Sequence, residues 1–275
     1  MTTIALIGAG GKMGQRLTRN LKKTDFDVRH VEVNAEAAAR LKAEQGVDCI
    51  DSTTACDGAD AVILAVPDVA IGKVAAGLDN QLKAGTMVVV LDAAAPAAGH
   101  LPDRDDLIYF VTHPCHPSVF NYEPVEADHR DYFGGISARQ SIVCALMQGP
   151  EEAWEMGEAI ARAIYAPVSR SHCVTVEQIA LLEPALAETT AATLITVLRE
   201  AMDECVARGV PHDAARDFVL GHVNIFLAVL FDEIPGQFSD ACNKAIEQAM
   251  PVLMQPDWKK VFEPDAVAES IRRIT

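Results

Sequence analysis

Basic residues are scarce in this chain relative to acidic ones. Its 275 residues carry 23 Lys and Arg against 39 Asp and Glu, a formal net charge of -16. A surface of that sign repels nucleic acid and anionic membranes, so neither is expected as a partner. No Arg or Lys cluster falls near the candidate site described below, which argues against a phosphorylated sugar as substrate. The seven cysteines (Cys49, Cys56, Cys115, Cys144, Cys173, Cys205, Cys242) are odd in number and scattered, without the CxxC spacing of a zinc knuckle or redox motif. They read as reduced, mostly buried thiols of a cytoplasmic protein. Also missing are a basic segment leading into a signal-type apolar stretch, an uninterrupted apolar run long enough to cross a bilayer, internal repeats and low-complexity segments.

Hydrophobic material is plentiful: half the residues are apolar, enough for a large core and two domains. The first run, Thr3 to Ile7, breaks into Gly8-Ala9-Gly10-Gly11-Lys12-Met13-Gly14 and then turns helical. A dinucleotide-binding βαβ unit begins in this way. Gly8 permits the tight turn, Gly10 lets backbone approach a pyrophosphate, and Gly14 lets the helix pack on the sheet. The helix N-terminus at Gly11, Lys12 and Met13 then faces the phosphates. The spacing is GxGxxxG, one residue longer than the commonest form. A second strand-like run, Val28 to Val33, carries Glu32, 24 residues after Gly8. A carboxylate there accepts from ribose hydroxyls and repels a 2′-phosphate, so NAD is expected over NADP. Asn34 competes for the same contact.

Strand and helix patterns keep alternating: helix at 35–45, strand at 61–66, helix at 69–82, strands at 87–91, 107–112 and 141–147, helix from Pro150 to Ile164. Such alternation predicts an α/β fold, a Rossmann doubly wound parallel sheet. Beyond about Ser171 the strand signal ends, and long apolar helices follow: Val176 towards Arg208, with Pro184 expected to kink it, then His212 through Phe231, then two shorter ones. Residues 1–170 are therefore assigned to an NAD-binding Rossmann domain and 171–275 to a helical substrate-binding and dimerisation domain. The helices are more apolar than one surface stripe requires, so a homodimer is expected.

Ligands of open α/β sheets bind beyond the carboxyl ends of the strands. Ala65-Val66-Pro67-Asp68 and Leu91-Asp92-Ala93-Ala94-Ala95-Pro96 fall there, small and stiff enough to wall a ribose and nicotinamide; Asp68 itself reads as a helix N-cap. His113-Pro114-Cys115-His116-Pro117 is the most polar strand end, suited to acid/base work or to a divalent cation, or else to capping a strand through backbone bonds. Glu183, between Ile179-Ala180-Leu181-Leu182 and Ala185-Leu186, is an acid in an apolar helix; it either finds a metal, a hydroxyl or a histidine, or faces solvent. Glu188 reads as solvated. His222 interrupts Phe218-Val219-Leu220-Gly221-His222-Val223-Asn224-Ile225-Phe226, either completing a substrate site or satisfied within a core. Arg139 and Arg170 are isolated cations that could take a carboxylate.

On Gly8 to Gly14, Val62-Ile63-Leu64-Ala65-Val66-Pro67-Asp68, Thr112-His113-Pro114 and the helical C-terminal half, the whole chain resembles oxidoreductases of the 6-phosphogluconate and prephenate dehydrogenase type. On His113-Pro114-Cys115-His116-Pro117 and Leu181-Leu182-Glu183-Pro184 it most resembles the D-apionate oxidoisomerase family. The resemblance implies carbohydrate metabolism: NAD-dependent oxidation of a small branched hydroxy acid at C2, then migration of a carbon substituent to the new carbonyl. It also implies a divalent metal, zinc or magnesium, on His113 and Glu183, with Glu183, His116 and His222 as catalytic groups and His116 and His222 as proton shuttles or further ligands. Ala65, Val66 and Pro67 join Gly8, Gly10, Gly11, Lys12, Met13 and Glu32 around the dinucleotide. Glu183 and Ala187 stand where β-hydroxyacid dehydrogenases carry a catalytic lysine and asparagine, so a plain lysine-assisted dehydrogenase is the lesser reading. A non-catalytic dinucleotide-binding protein is the reading from another class.

Overall fold

Residues 1–275 are described in a computed structural model. Seven strands, β1 (Thr3–Ile7), β2 (Asp27–Val31), β3 (Ala61–Leu64), β4 (Met87–Val90), β5 (Ile108–Pro114), β6 (Gln140–Gln148) and β7 (Val168–Cys173), form one sheet in the order β2-β1-β3-β4-β5-β6-β7. The first five run parallel. β6 pairs antiparallel with β5, and β7 parallel with β6. Strand neighbours alternate between two hydrophobic clusters, because successive side chains leave opposite faces. Ile4, Leu6, Ile63, Met87 and Val89 enter one cluster; Ala5, Ile7, Val62, Leu64, Val88 and Val90 enter the other. Both faces are thus buried, which is why these strands read as unbroken apolar runs.

The first face is covered by α1 (Lys12–Leu21), α2 (Ala35–Gln45) and α6 (Ala153–Ile164), through Leu17 and Leu21, Leu41, and Ile160 and Ile164 respectively. The second is covered by α3 (Ser52–Cys56), capped by Asp51, and by α4 (Asp68–Leu78), through Ile71, Ala75 and Leu78. A four-residue helix, α5 (Ala94–Ala97), follows β4.

Contacts divide the chain into Met1–Leu182 with Ala268–Thr275, and Glu183–Val267. The division falls later than residue 170 because β7 completes the sheet and α7 (Val176–Ala180) packs against β6 and α5. The strand signal therefore did not stop at Ser171. In β7 it was masked by the polar run Ser169-Arg170-Ser171-His172, at an edge that is half exposed.

A capping box starts α7: Thr175 Oγ1 accepts from the Gln178 N–H, and Gln178 Oε1 accepts from the Thr175 N–H. The helix then continues without a break to Ala207. Its middle, Leu181–Ala192, is π-helical with Pro184 inside, and its last part is α8 (Thr193–Ala207). Pro184, which lacks the N–H for a regular bond, falls inside this π-helical stretch. By length and composition this helix, Val176–Ala207, is apolar enough to cross a membrane, although Glu183 and Glu188 interrupt its apolar run.

The second unit contains α8, α9 (His212–Leu230) and α10 (Asp240–Leu253), with α8 packed on α9; α11 (Pro264–Ile274) follows. Much of its apolar surface is open: Ile195, Phe218, Leu230, Phe231, Val252 and Leu253 are all exposed. All seven cysteines are free thiols, but only Cys56 and Cys144 are buried. Cys115, Cys173 and Cys205 are exposed, so "mostly buried" does not hold.

Candidate active site and metal centre

At the end of β1, Gly8 adopts a left-handed φ of +81°, and the Gly8 and Ala9 N–H groups both donate to Val31 O at 2.9 and 3.0 Å. A Cβ on Gly8 would run into the Ala65 carbonyl, and one on Gly14 into the backbone of Gly8 and Ala9. Gly10 differs from expectation: its missing Cβ makes room for Ala37 of α2. Gly11 is the N-cap of α1 and makes no side-chain cap bond, and the first turn, with Lys12 and Met13, carries no acid. The free N–H groups there suit an anion.

Glu32, just past β2, accepts from Gly10 N–H through Oε2 (3.0 Å) and from Asn34 N–H through Oε1 (2.8 Å). Its carboxylate is therefore held in place beside the loop. Asn34 is occupied otherwise, capping α2 by accepting from Ala37 N–H at 2.9 Å. A cleft of about 480 Å³ opens beside Glu32, lined by Gly8, Gly11, Glu32, Ala65, Val66 and Pro67 among others. The dinucleotide-site residues read from the sequence thus lie on or beside one cleft. Lys12 is exposed and Met13 partly buried at the helix start.

β4 and β5 bring the polar groups together. Val90 pairs with Val111, so two residues further on Asp92 stands beside His113. His113 Nδ1 lies 2.9 Å from Leu91 O and 3.6 Å from Asp92 Oδ2. A carbonyl only accepts, so Nδ1 donates this bond, which orients the ring and makes Nε2 the nitrogen that could serve as a cation ligand. Asp92 Oδ1 accepts from Ala94 N–H at 2.6 Å, at the start of α5. Because α7 packs on α5, the turn that follows α7 carries Glu183 to the same place. One ligand atom each from Asp92, His113 and Glu183 lies within 4.8 Å of the other two, and all three residues are partly buried. Two carboxylates and an imidazole form a donor set that fits a divalent cation.

Asp92 was missed as a ligand in the sequence, although an acid directly after an apolar strand signals a carboxyl-edge position. Asp68 was misjudged. The residue before α4 is Pro67, and the Asp68 side chain is no cap. Burial, then the charge of Asp92, push its carboxyl above the usual range, opposed first by a hydrogen bond from its own backbone N–H.

His116 is half-buried with a left-handed φ of 59°. Its ring lies edge-on to that of His113, 6.2 Å between centroids, and its Nδ1 is 2.9 Å from Phe133 O. His222 belongs to the second unit. It is exposed on α9, stacked on Phe218 at 4.1 Å, with Nδ1 donating to Phe218 O at 2.8 Å. Glycine at 221 leaves open space, and the ring simply packs on its own helix. Glu188 is exposed, as expected. Arg139 is committed to the buried Glu123 through its backbone N–H (2.7 Å) and Nε (3.3 Å), so it is not a waiting carboxylate receptor.

The glycine turn, the acid after β2 and the polar carboxyl edge of a doubly wound sheet define a Rossmann-fold oxidoreductase. Two family descriptions match the chain: "Phosphogluconate dehydrogenase (decarboxylating) C-term" over residues 121–275 and "NADP oxidoreductase coenzyme F420-dependent" over residues 3–96. A D-apionate oxidoisomerase from Rhizobium rhizogenes is 64% identical over 275 residues, covering 100% of each chain. One from Cupriavidus necator is 63% identical over 272 residues, covering 99% of each. A crystal structure from Cupriavidus necator, described as a semialdehyde dehydrogenase NAD-binding protein in complex with calcium and NAD, superposes with a TM-score of 0.99. It is 62% identical, with 100% of each chain covered. The chain belongs to the D-apionate oxidoisomerase family.

Proposed function

We propose that this chain is an NAD-dependent oxidoisomerase of a small branched hydroxy acid of the D-apionate type. The carrying observation is the convergence of Asp92, His113 and Glu183 at the carboxyl edge of the sheet that bears the dinucleotide loop. The reaction removes a hydride from C2 and shifts a carbon substituent onto the new carbonyl, giving a 3-oxo acid. When bound, NAD would supply a hydride acceptor and a divalent cation a Lewis acid.

The chain's own residues supply the rest. The turn Gly8 to Met13 would border the pyrophosphate, with the first-turn N–H groups of Lys12 and Met13 open to it, and Glu32 would take the ribose hydroxyls and disfavour a 2′-phosphate. Asp92, His113 and Glu183 would hold the cation, with His113 oriented by Leu91 O. His116, bonded through Nδ1, offers Nε2 as the proton acceptor for the substrate hydroxyl. The names of the relatives and the calcium and NAD of the Cupriavidus necator structure support this reading. The open apolar faces of α8, α9 and α10 support a homodimer, since patches of this extent mark interaction surfaces.

The test is turnover of D-apionate with NAD by the purified protein, with the product identified by NMR. NADH formation with a rearranged 3-oxo acid, lost on chelation, is expected. Full activity after chelation with an unrearranged oxo acid would make the chain a simple dehydrogenase. Tight NADH binding without oxidation of any acid in a broad panel would make it a dinucleotide-binding protein.

A further inference from the structure

His116 has a backbone that side-chain-bearing residues adopt only when something holds them there. What holds it is Phe133, 17 residues on. The Phe133 carbonyl accepts from His116 Nδ1 at 2.9 Å, and the Phe133 ring meets the imidazole edge-on, 5.6 Å between centroids at 90°. Yet Phe133 is itself 61% exposed. No core packing fixes its ring. Its other clamp is Arg16, whose guanidinium carbon lies 4.5 Å from the ring centroid.

Arg16 stands on α1, the helix whose N-terminus forms the dinucleotide loop. One turn further along the same face, Asn20 Nδ2 donates to Gly135 O at 2.9 Å, docking the same loop a second time. Residues 133 to 135 are therefore tied to the cofactor helix at two points, and His116 is tied to residue 133.

We infer that Arg16 and Phe133 are positioning residues for His116. Arg16 pins the Phe133 ring, and the Phe133 carbonyl then keeps the proton on Nδ1. Nε2 is left with its lone pair, as the proposed reaction needs. Helix α1 thus serves two ends of the site, its N-terminus facing the dinucleotide and Arg16 setting the imidazole.

This inference rests on His116 as proton acceptor, and the two can fail separately. A cation–π contact at an exposed ring corresponds to about a two- to fivefold effect. Arg16→Ala is therefore expected to lower kcat about two- to fivefold with KM for NAD unchanged, and Arg16→Lys to restore most of it. Phe133→Leu, which keeps the carbonyl but loses the ring, should match Arg16→Ala, and the double variant should be no worse than either. In a His116→Gln background Arg16→Ala should add nothing. Imidazole 15N spectra, with His116 assigned through His116→Gln, should show the Nδ1–H form in the wild type and a mixture in Arg16→Ala. Circular dichroism and the unfolding midpoint control for folding.

A raised KM for NAD with unchanged kcat would make Arg16 a dinucleotide ligand and overturn the inference. Full additivity with Phe133→Leu or with His116→Gln would do the same. If His116→Gln keeps wild-type kcat, it is the role of His116 that falls.

Discussion

Two glycines with similar left-handed φ and different surroundings separate conformational strain from steric exclusion. Gly8 has φ +81° and Gly46, after α2, has φ +70°. An alanine in the left-handed region costs about 1–2 kcal/mol at either position. Around Gly46 nothing lies within 4 Å of an added methyl, so Gly46→Ala should cost only that amount. At Gly8 the methyl meets the Ala65 carbonyl, at the end of a buried strand, and Val66 Cγ1 at 3.0 Å. Overpacking against atoms that cannot retreat adds about 1–3 kcal/mol, for a total of about 2–5 kcal/mol. Urea unfolding can read the difference through Trp154, which packs on the buried Phe110 with 5.5 Å between ring centroids, in a Trp258→Phe background. Gly8→Ala should fall below Gly46→Ala by about 1–3 kcal/mol, and it alone should weaken NAD binding. Equal destabilisation of the two variants would show that the β1 turn is free to move away from β3, and the account of Gly8 given above would be wrong.

Three further outcomes follow from the geometry. Asp92→Asn keeps the acceptor for Ala94 N–H but removes a charge from the donor set; divalent-cation affinity measured calorimetrically should fall at least tenfold with NAD affinity intact, and unchanged cation binding would exclude Asp92 as a ligand. Glu123 is held below the usual carboxylate range, first by the Arg139 backbone N–H, with Asn121 and the Arg139 side chain adding to it against burial. Its folded value lies below its unfolded one, so the stability it contributes is present above the ordinary carboxylate range and is lost as pH falls through the lowered value; Glu123→Gln should flatten the acid limb of a stability–pH curve, and an identical limb would refute this. Phe110→Ala, at a fully buried ring, should cost about 3–5 kcal/mol in the same urea assay, whereas a loss below 1 kcal/mol would mean that the space closes around Trp154 and Gly157.

The Rossmann half was legible because its determinants are local. An apolar run, a glycine turn and a helical period sit side by side in the chain, and each strand's burial on both faces leaves a continuous signal. β7 escaped because an edge strand is wetted, and Ser169, Arg170 and His172 then look like a loop. The extent of the first unit escaped with it. His222 misled for a related reason: a histidine amid phenylalanines reads as a buried polar group, whereas here it stacks on Phe218 along the same helix and stays exposed.

The ligand set shows where such legibility ends. His113 and Glu183 could be singled out because each is chemically out of place in its own segment. Asp92 is not out of place, since an acid after a strand is an ordinary helix-capping residue, and it does bond the Ala94 N–H. Its second role comes from register. β4 and β5 are parallel neighbours, and the pairing of Val90 with Val111 carries Asp92 to His113 across a separation that composition and periodicity do not encode. The same register argument ties the cation site to the sheet rather than to loop conformation: a shift of β5 by one residue would turn His113 to the other face of the sheet and dissolve the donor set. Substitutions that loosen the β4–β5 pairing, far from any ligand, should therefore cost cation affinity before they cost dinucleotide affinity, because the glycine turn is held by Val31 of β2, by Ala65 after β3 and by Ala37 and Arg40 of α2.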